Sequence, residues 1–114
     1  SEGDIDVFLG NWMPTMEADI APYRDAGTVE TVRTNLEGAK YTLATNEAGA
    51  ALGITDFGNI AAQKDALEGK IYGIEPGNDG NRLIIDMIAS GPFGLDGFEV
   101  VESSEQGMLA EVAK

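Results

Sequence analysis

Apolar and polar positions change period several times along this chain, and each change marks an element. Ile5-Asp6-Val7-Phe8-Leu9 is a short apolar run of strand length. Met16, Ile20 and Tyr23 recur at i, i+4 and i+7. That spacing predicts a helix with one apolar face, N-capped by Thr15 and ended by Gly27. "TVETVRTNL" (28–36) and "AKYTLAT" (39–45) alternate and are rich in β-branched residues, so both read as strands. Asp56 is placed to cap a helix through "FGNIAAQKDAL" (57–67), which Gly69 stops. "KIYGI" (70–74) reads as a strand and "EPGNDGN" (75–81) as a turn. "RLIIDMIAS" (82–90) follows as a helix with Leu83, Ile84, Met87 and Ile88 inward. "FEVVES" (98–103) is a further strand. The last stretch is a helix in which Ser103 and Gln106 form a capping box. Strands alternating with helices imply βαβ units, a largely parallel sheet and the α/β class.

Both ends of the pattern are abrupt. The first strand begins almost at once, and the final helix reaches Lys114 without a Gly or Pro stop signal. An internal fragment of a longer protein is therefore expected. At 114 residues the chain suits one modest domain or a piece of a larger one.

Charge narrows the partners. Seven basic against 20 acidic residues leave a formal charge of -13. Nucleic acid is excluded as a partner, because phosphate binding needs clustered Lys and Arg. An anionic membrane surface is disfavoured for the same reason. With no cysteine and no histidine, thiolate chemistry, imidazole bases and Cys or His metal sites are unavailable. Glu37, Glu47, Glu68 and Glu75 are scattered and read as solvated surface rather than a catalytic pair. EF-hand spacing is absent. No cofactor is implied, and an enzyme is the weakest class.

Three stretches remain as candidate chemistry, since open α/β sheets bind ligands beyond the carboxyl ends of their strands. Trp12, the single tryptophan, lies in "GNWMP" after the first strand. Local pattern leaves two readings open: a ring half-buried on its own sheet, or an aromatic wall that attracts a cation at about 0.5–2 kcal/mol. In the second, Gly10 and Pro14 fix the loop and Met13 packs beneath the ring. "GNDGNR" (77–82) has the strand–turn–helix form of a phosphate loop but matches neither glycine signature, and Asp79 at the helix start opposes a phosphate. Locally, Asn78 or Asp79 is a helix cap, while the Asn78 amide also suits a small polar ligand. Tyr41 reads on propensity as a sheet residue packed on a neighbour.

The runs "DIDVFLGNWMPTMEADIAPY", "NLEGAKYTLA", "GKIYGIEPGNDGNRLIIDMI" and "FEVVESSEQGMLAEVAK" resemble the substrate-binding proteins of choline uptake systems. These sit within the glycine betaine, proline betaine and choline family of ABC transporter receptors. "GNWMPT" and "YGIEPGNDGNR" are the most specific signatures. Only "TNEAGAALGITDFGNIAAQ" diverges. The resemblance implies a type II periplasmic-binding-protein fold, two α/β lobes closing on the ligand. Residues 1–36 would then end lobe one, with a crossover near Asn35-Leu36, and residues 37–114 would supply most of lobe two.

By the same resemblance, the quaternary ammonium head sits in a box of aromatic rings, with Trp12 and Tyr41 as two walls. Asn78 holds the choline hydroxyl, and further walls and an aspartate belong to segments outside this chain. The physics agrees: a trimethylammonium group has no N–H, so π-faces serve its charge and its methyl surface together. Micromolar binding needs about 8 kcal/mol, within reach of several such walls plus methyl burial. The resemblance also implies a membrane permease as partner and a periplasmic or other extracytoplasmic location. Asn78 beside Asp79 favours choline over betaine. The alternatives are a betaine or osmolyte receptor, and a half-receptor that binds nothing and self-associates by edge pairing or strand exchange. The chain alone is expected to bind choline poorly.

Overall fold

The computed structural model describes residues 3–114, in two compact units, Ser1–Lys40 and Tyr41–Lys114. In the first unit the regular element is α1 (Glu17–Asp25). Its apolar stripe is partly as expected. Met16 and Ile20 are half-buried, whereas Tyr23 is exposed and its carbonyl accepts from Thr28 and Val29 N–H, closing the turn at Gly27. Thr15 is not the cap. Met16 holds that position without a side-chain bond, and the Thr15 hydroxyl donates back to the Trp12 carbonyl at 3.1 Å.

The strands expected at 5–9, 28–36 and 39–45 are absent: these stretches are irregular. A strand needs a neighbour for its ladder, and only 70–72 and 99–101 pair among the described residues. Ile5, Val7, Phe8 and Leu9 are 63% to 75% exposed, so that run is held by neither ladder nor core.

The second unit carries the α/β character. α2 (Glu47–Ala51) is capped by Asn46. α3 (Phe57–Ile60) is capped by Asp56, whose carboxylate accepts from Gly58 N–H at 2.7 Å, as its position predicts. The long helix expected through Leu67 instead tightens into a 3-10 turn at Ala61–Gln63 and loosens into turns. It ends at Gly69, whose φ of +64° suits glycine.

β1 (Lys70–Tyr72) then pairs in parallel with β2 (Glu99–Val101), Ile71 opposite Val100. Parallel pairing requires a crossover, supplied by α4 (Asp79–Ser90), which Gly91 closes in the left-handed region at φ +75°. α4 packs on β2, and α5 (Glu105–Val112) packs on β1. The expected box of Ser103 and Gln106 is displaced by one residue: Ser104 caps α5, its hydroxyl accepting from Gly107 N–H at 3.0 Å.

The core is small. Ile60, Leu95 and Phe98 are buried, with Leu43, Ile54, Phe57, Leu67, Ile71, Met87 and Ile88 packed around them. Of the α4 residues expected inward, Met87 and Ile88 meet this core and Ile84 is half-buried. Leu83 is 41% exposed and faces a cavity instead.

Candidate functional site

That cavity, about 290 Å³, opens between the carboxyl end of β1 and the first two turns of α4. Parallel strands that end beside a helix start leave such a crevice by construction. Its floor is apolar, from Leu43, Phe57, Ile71 and Met87, and its rim carries Tyr41, Asn78 and Asn81.

Two of the three residues singled out in the sequence meet here. Tyr41 is 48% exposed, with its hydroxyl 3.4 Å from Asp79 Oδ1, at the long end of hydrogen-bond range. Its ring seats directly on the backbone of α4. A Cβ built on Gly80 would fall 2.8 Å from Tyr41 Cε1, so only glycine admits this approach. Burial pushes the Tyr41 phenol above the ordinary tyrosine range, and the Asp79 carboxylate adds to the shift through its charge and its hydrogen bond. The sheet packing read for Tyr41 from propensity is replaced by packing against a helix start.

Asn78 is the N-cap of α4, its Oδ1 accepting from Gly80 N–H at 2.7 Å. The cap reading of this residue holds: the oxygen serves the helix backbone, and the amide nitrogen remains a donor group. A donor serves a hydroxyl oxygen and a carboxylate alike, so Asn78 by itself does not select between them.

Two residues of this region were not singled out for the roles they hold. Asn81 is 4% exposed and knits the loop to both strands. Its Oδ1 accepts from Ile74 N–H at 3.1 Å, and its Nδ2 donates to the carbonyls of Ile74 and Glu75 and to Glu102 Oε1 at 3.0–3.1 Å. The signal was the second asparagine of "GNDGN", one helical turn beyond the first. Asp79 is 7% exposed, and its Oδ2 is buried without a hydrogen-bond partner among the described residues.

Trp12 belongs to the first unit. It is 46% exposed, in the tight turn that leads into α1. Its carbonyl accepts from Met16 N–H at 2.8 Å and its own N–H donates toward Met16 Sδ at 3.4 Å. Met16 Sδ thus meets the backbone of the loop, while Met13 is 48% exposed. Gly10 lies where a Cβ would come within 3.2 Å of the Phe8 ring, which fits its expected part in the loop.

Two of the scattered acids have partners. Glu68 pairs with Lys70 at 2.8 Å, and Glu75 Oε1 accepts from Glu105 N–H at the start of α5. Among the described residues no group of acids is arranged to hold a metal ion. No helix among them is long and apolar enough to cross a membrane.

The family described as the substrate binding domain of ABC-type glycine betaine transport systems matches residues 1–114. A solved ABC-transporter choline binding protein in complex with choline is 80% identical, with a TM-score of 0.82 over 96% of this chain and 38% of that one. An unliganded, semi-closed choline binding protein is 79% identical at a TM-score of 0.79, over 97% and 38%. The ORF1 protein of Chromohalobacter salexigens is 51% identical over 80 residues, which are 70% of this chain and 52% of that protein. The chain thus spans about two fifths of the solved relatives and about half of the curated one.

Proposed function

The chain belongs to the substrate-binding domains of ABC-type glycine betaine transport systems, and we propose that it serves as the choline-binding receptor of such an importer. The observation that carries this reading is the pairing of Tyr41 and Asn78 on one cavity rim: an aromatic face beside an amide donor. Choline presents the matching groups, a trimethylammonium head and a hydroxyl a short chain apart. The 80% identity to a protein solved with choline supports the same assignment.

Within this reading Trp12 and Tyr41 are walls of the aromatic box, and the Asn78 amide nitrogen donates to the choline oxygen. Residues 1–36 belong to the end of one lobe and 37–114 to most of the other. Each wall contributes about 0.5–2 kcal/mol by cation–π attraction, and the methyl groups add burial that water cannot offer. Closure of the lobes follows from the ligand's preference for the state in which all walls touch it. The receptor works outside the cytoplasm and hands its ligand to a membrane permease. No enzymatic step is involved.

Glycine betaine is the second reading, because the Asn78 donor also suits a carboxylate. Calorimetry on the receptor that carries this sequence separates the two, with choline, betaine and acetylcholine as ligands. Choline should bind tightest, and Trp12→Ala and Tyr41→Ala should each weaken it. Unchanged choline affinity in Trp12→Ala would remove that residue from the box; tighter binding of betaine would reassign the ligand.

A further inference from the structure

We propose that Asp79 is a charge-selecting residue, acting through Tyr41 to make this wall of the box attractive to a cation rather than merely to an apolar group. The inference rests on Tyr41 being such a wall. Tyr41 lies against Gly80, in the first turn of α4. A helix start carries about half a positive charge, so the backbone under this ring is hostile to a cation. Asp79 is the first residue of that turn and places a carboxylate there, which reverses the local sign.

Three features make this carboxylate more than an ordinary helix-start acid. It is 7% exposed, so solvent screens it little. Its Oδ2 has no hydrogen-bond partner, and neither Lys nor Arg forms an ion pair with it among the described residues. A buried, unneutralised acid is costly unless something offsets it, and a bound cation one ring away does so. Finally, its Oδ1 accepts from the Tyr41 hydroxyl, which shifts electron density toward the ring face. At 3.4 Å that bond orients the ring only weakly, so the charge is the larger effect. The same charge repels the carboxylate of betaine and supplies the selection that the Asn78 donor lacks.

The test compares choline with its neutral carbon analogue, in which a tert-butyl group replaces trimethylammonium. Both are titrated calorimetrically into the receptor that carries this sequence. Asp79→Asn keeps the shape and an acceptor for the Tyr41 hydroxyl but removes the charge. It should weaken choline about tenfold, equivalent to about 1.4 kcal/mol, and leave the neutral analogue unchanged. Asp79→Glu keeps the charge and should keep the preference for choline over the analogue, even where both bind less well. Equal losses of both ligands in Asp79→Asn, or loss of the preference in Asp79→Glu, would overturn the proposal. Tyr41→Ala separates the two levels. If it leaves choline binding intact, the box reading itself fails. If it weakens choline while Asp79→Asn leaves the preference intact, only the role of Asp79 fails.

Discussion

Asn81→Ala tests how the cavity rim is held. Asn81 makes four bonds from one buried carboxamide, but their losses are unequal. The Ile74 carbonyl also accepts from Ser103 N–H at 3.0 Å, and the Glu75 carbonyl from Asn78 N–H at 3.1 Å. Both keep a partner after the substitution. Ile74 N–H donates to Asn81 Oδ1 and becomes unsatisfied without it, at a cost of about 1–3 kcal/mol. The three donor bonds add about 0.5–1.5 kcal/mol between them once their acceptors re-pair or reach water. The expected destabilisation is therefore about 2–4 kcal/mol. Asn81→Asp should cost more than Ala, although it retains the acceptor, because it sets a carboxylate against two carbonyls and Glu102. Urea unfolding of the receptor gives the totals, and hydrogen exchange of the Ile74 amide localises them. A loss under about 0.5 kcal/mol in Asn81→Ala, with Ile74 still protected, would mean that other groups hold the rim.

Further outcomes follow from the same geometry. Asn78→Ala should lose about 1 kcal/mol of α4 stability with the cap and also weaken choline, whereas Asn78→Asp should restore the cap, read by thermal melting, without restoring the ligand donor. Trp12→Ala should weaken choline by about 0.5–2 kcal/mol plus its lost burial, measured by calorimetry, and leave α1 intact because the turn there is tied by backbone bonds. Tyr41 should ionise above the ordinary tyrosine range in an ultraviolet alkaline titration, and Tyr41→Phe should delete that late phase. A phenol with a raised folded-state pKa contributes stability below its unfolded pKa, so that contribution should fade as pH rises through the folded value. Gly80→Ala should displace the Tyr41 ring and lower choline affinity, with the ring's near-ultraviolet dichroism as the independent readout.

Elements whose cause is local were legible in the sequence. Asp56 and Asn78 cap their helices because an Asx side chain reaches back to the backbone two residues on, whatever the rest of the chain does. β1, α4 and β2 were legible because an apolar run, an Asx-Gly turn and a 3.6-residue stripe follow one another within a single βαβ unit. The alternating runs at 28–36 and 39–45 misled for a definite reason. Alternation reports that a segment is compatible with a pleated surface, but a strand exists only where another strand supplies its hydrogen bonds. The capping box at α5 slipped because Ser103 and Ser104 are equivalent in pattern, and one residue of register is decided by where β2 delivers the chain.

The residues of the candidate cavity were legible by type and not in the arrangement of their atoms. Family likeness pointed to Tyr41 and Asn78, and both stand on one cavity rim. Spacing alone could not place Asp79 with Tyr41, because 38 residues separate them and only the crossover of α4 brings the helix start to that ring. Nor could it divide Asn78 between its two duties. The amide oxygen serves the cap, and the amide nitrogen is a donor that suits a hydroxyl oxygen and a carboxylate alike. The choice between choline and betaine, argued in the sequence from Asn78 beside Asp79, rests in our proposal on Asp79 alone. The proposed selection by Asp79 depends on its charge being buried, which its place in a polar glycine-rich turn gave no reason to expect.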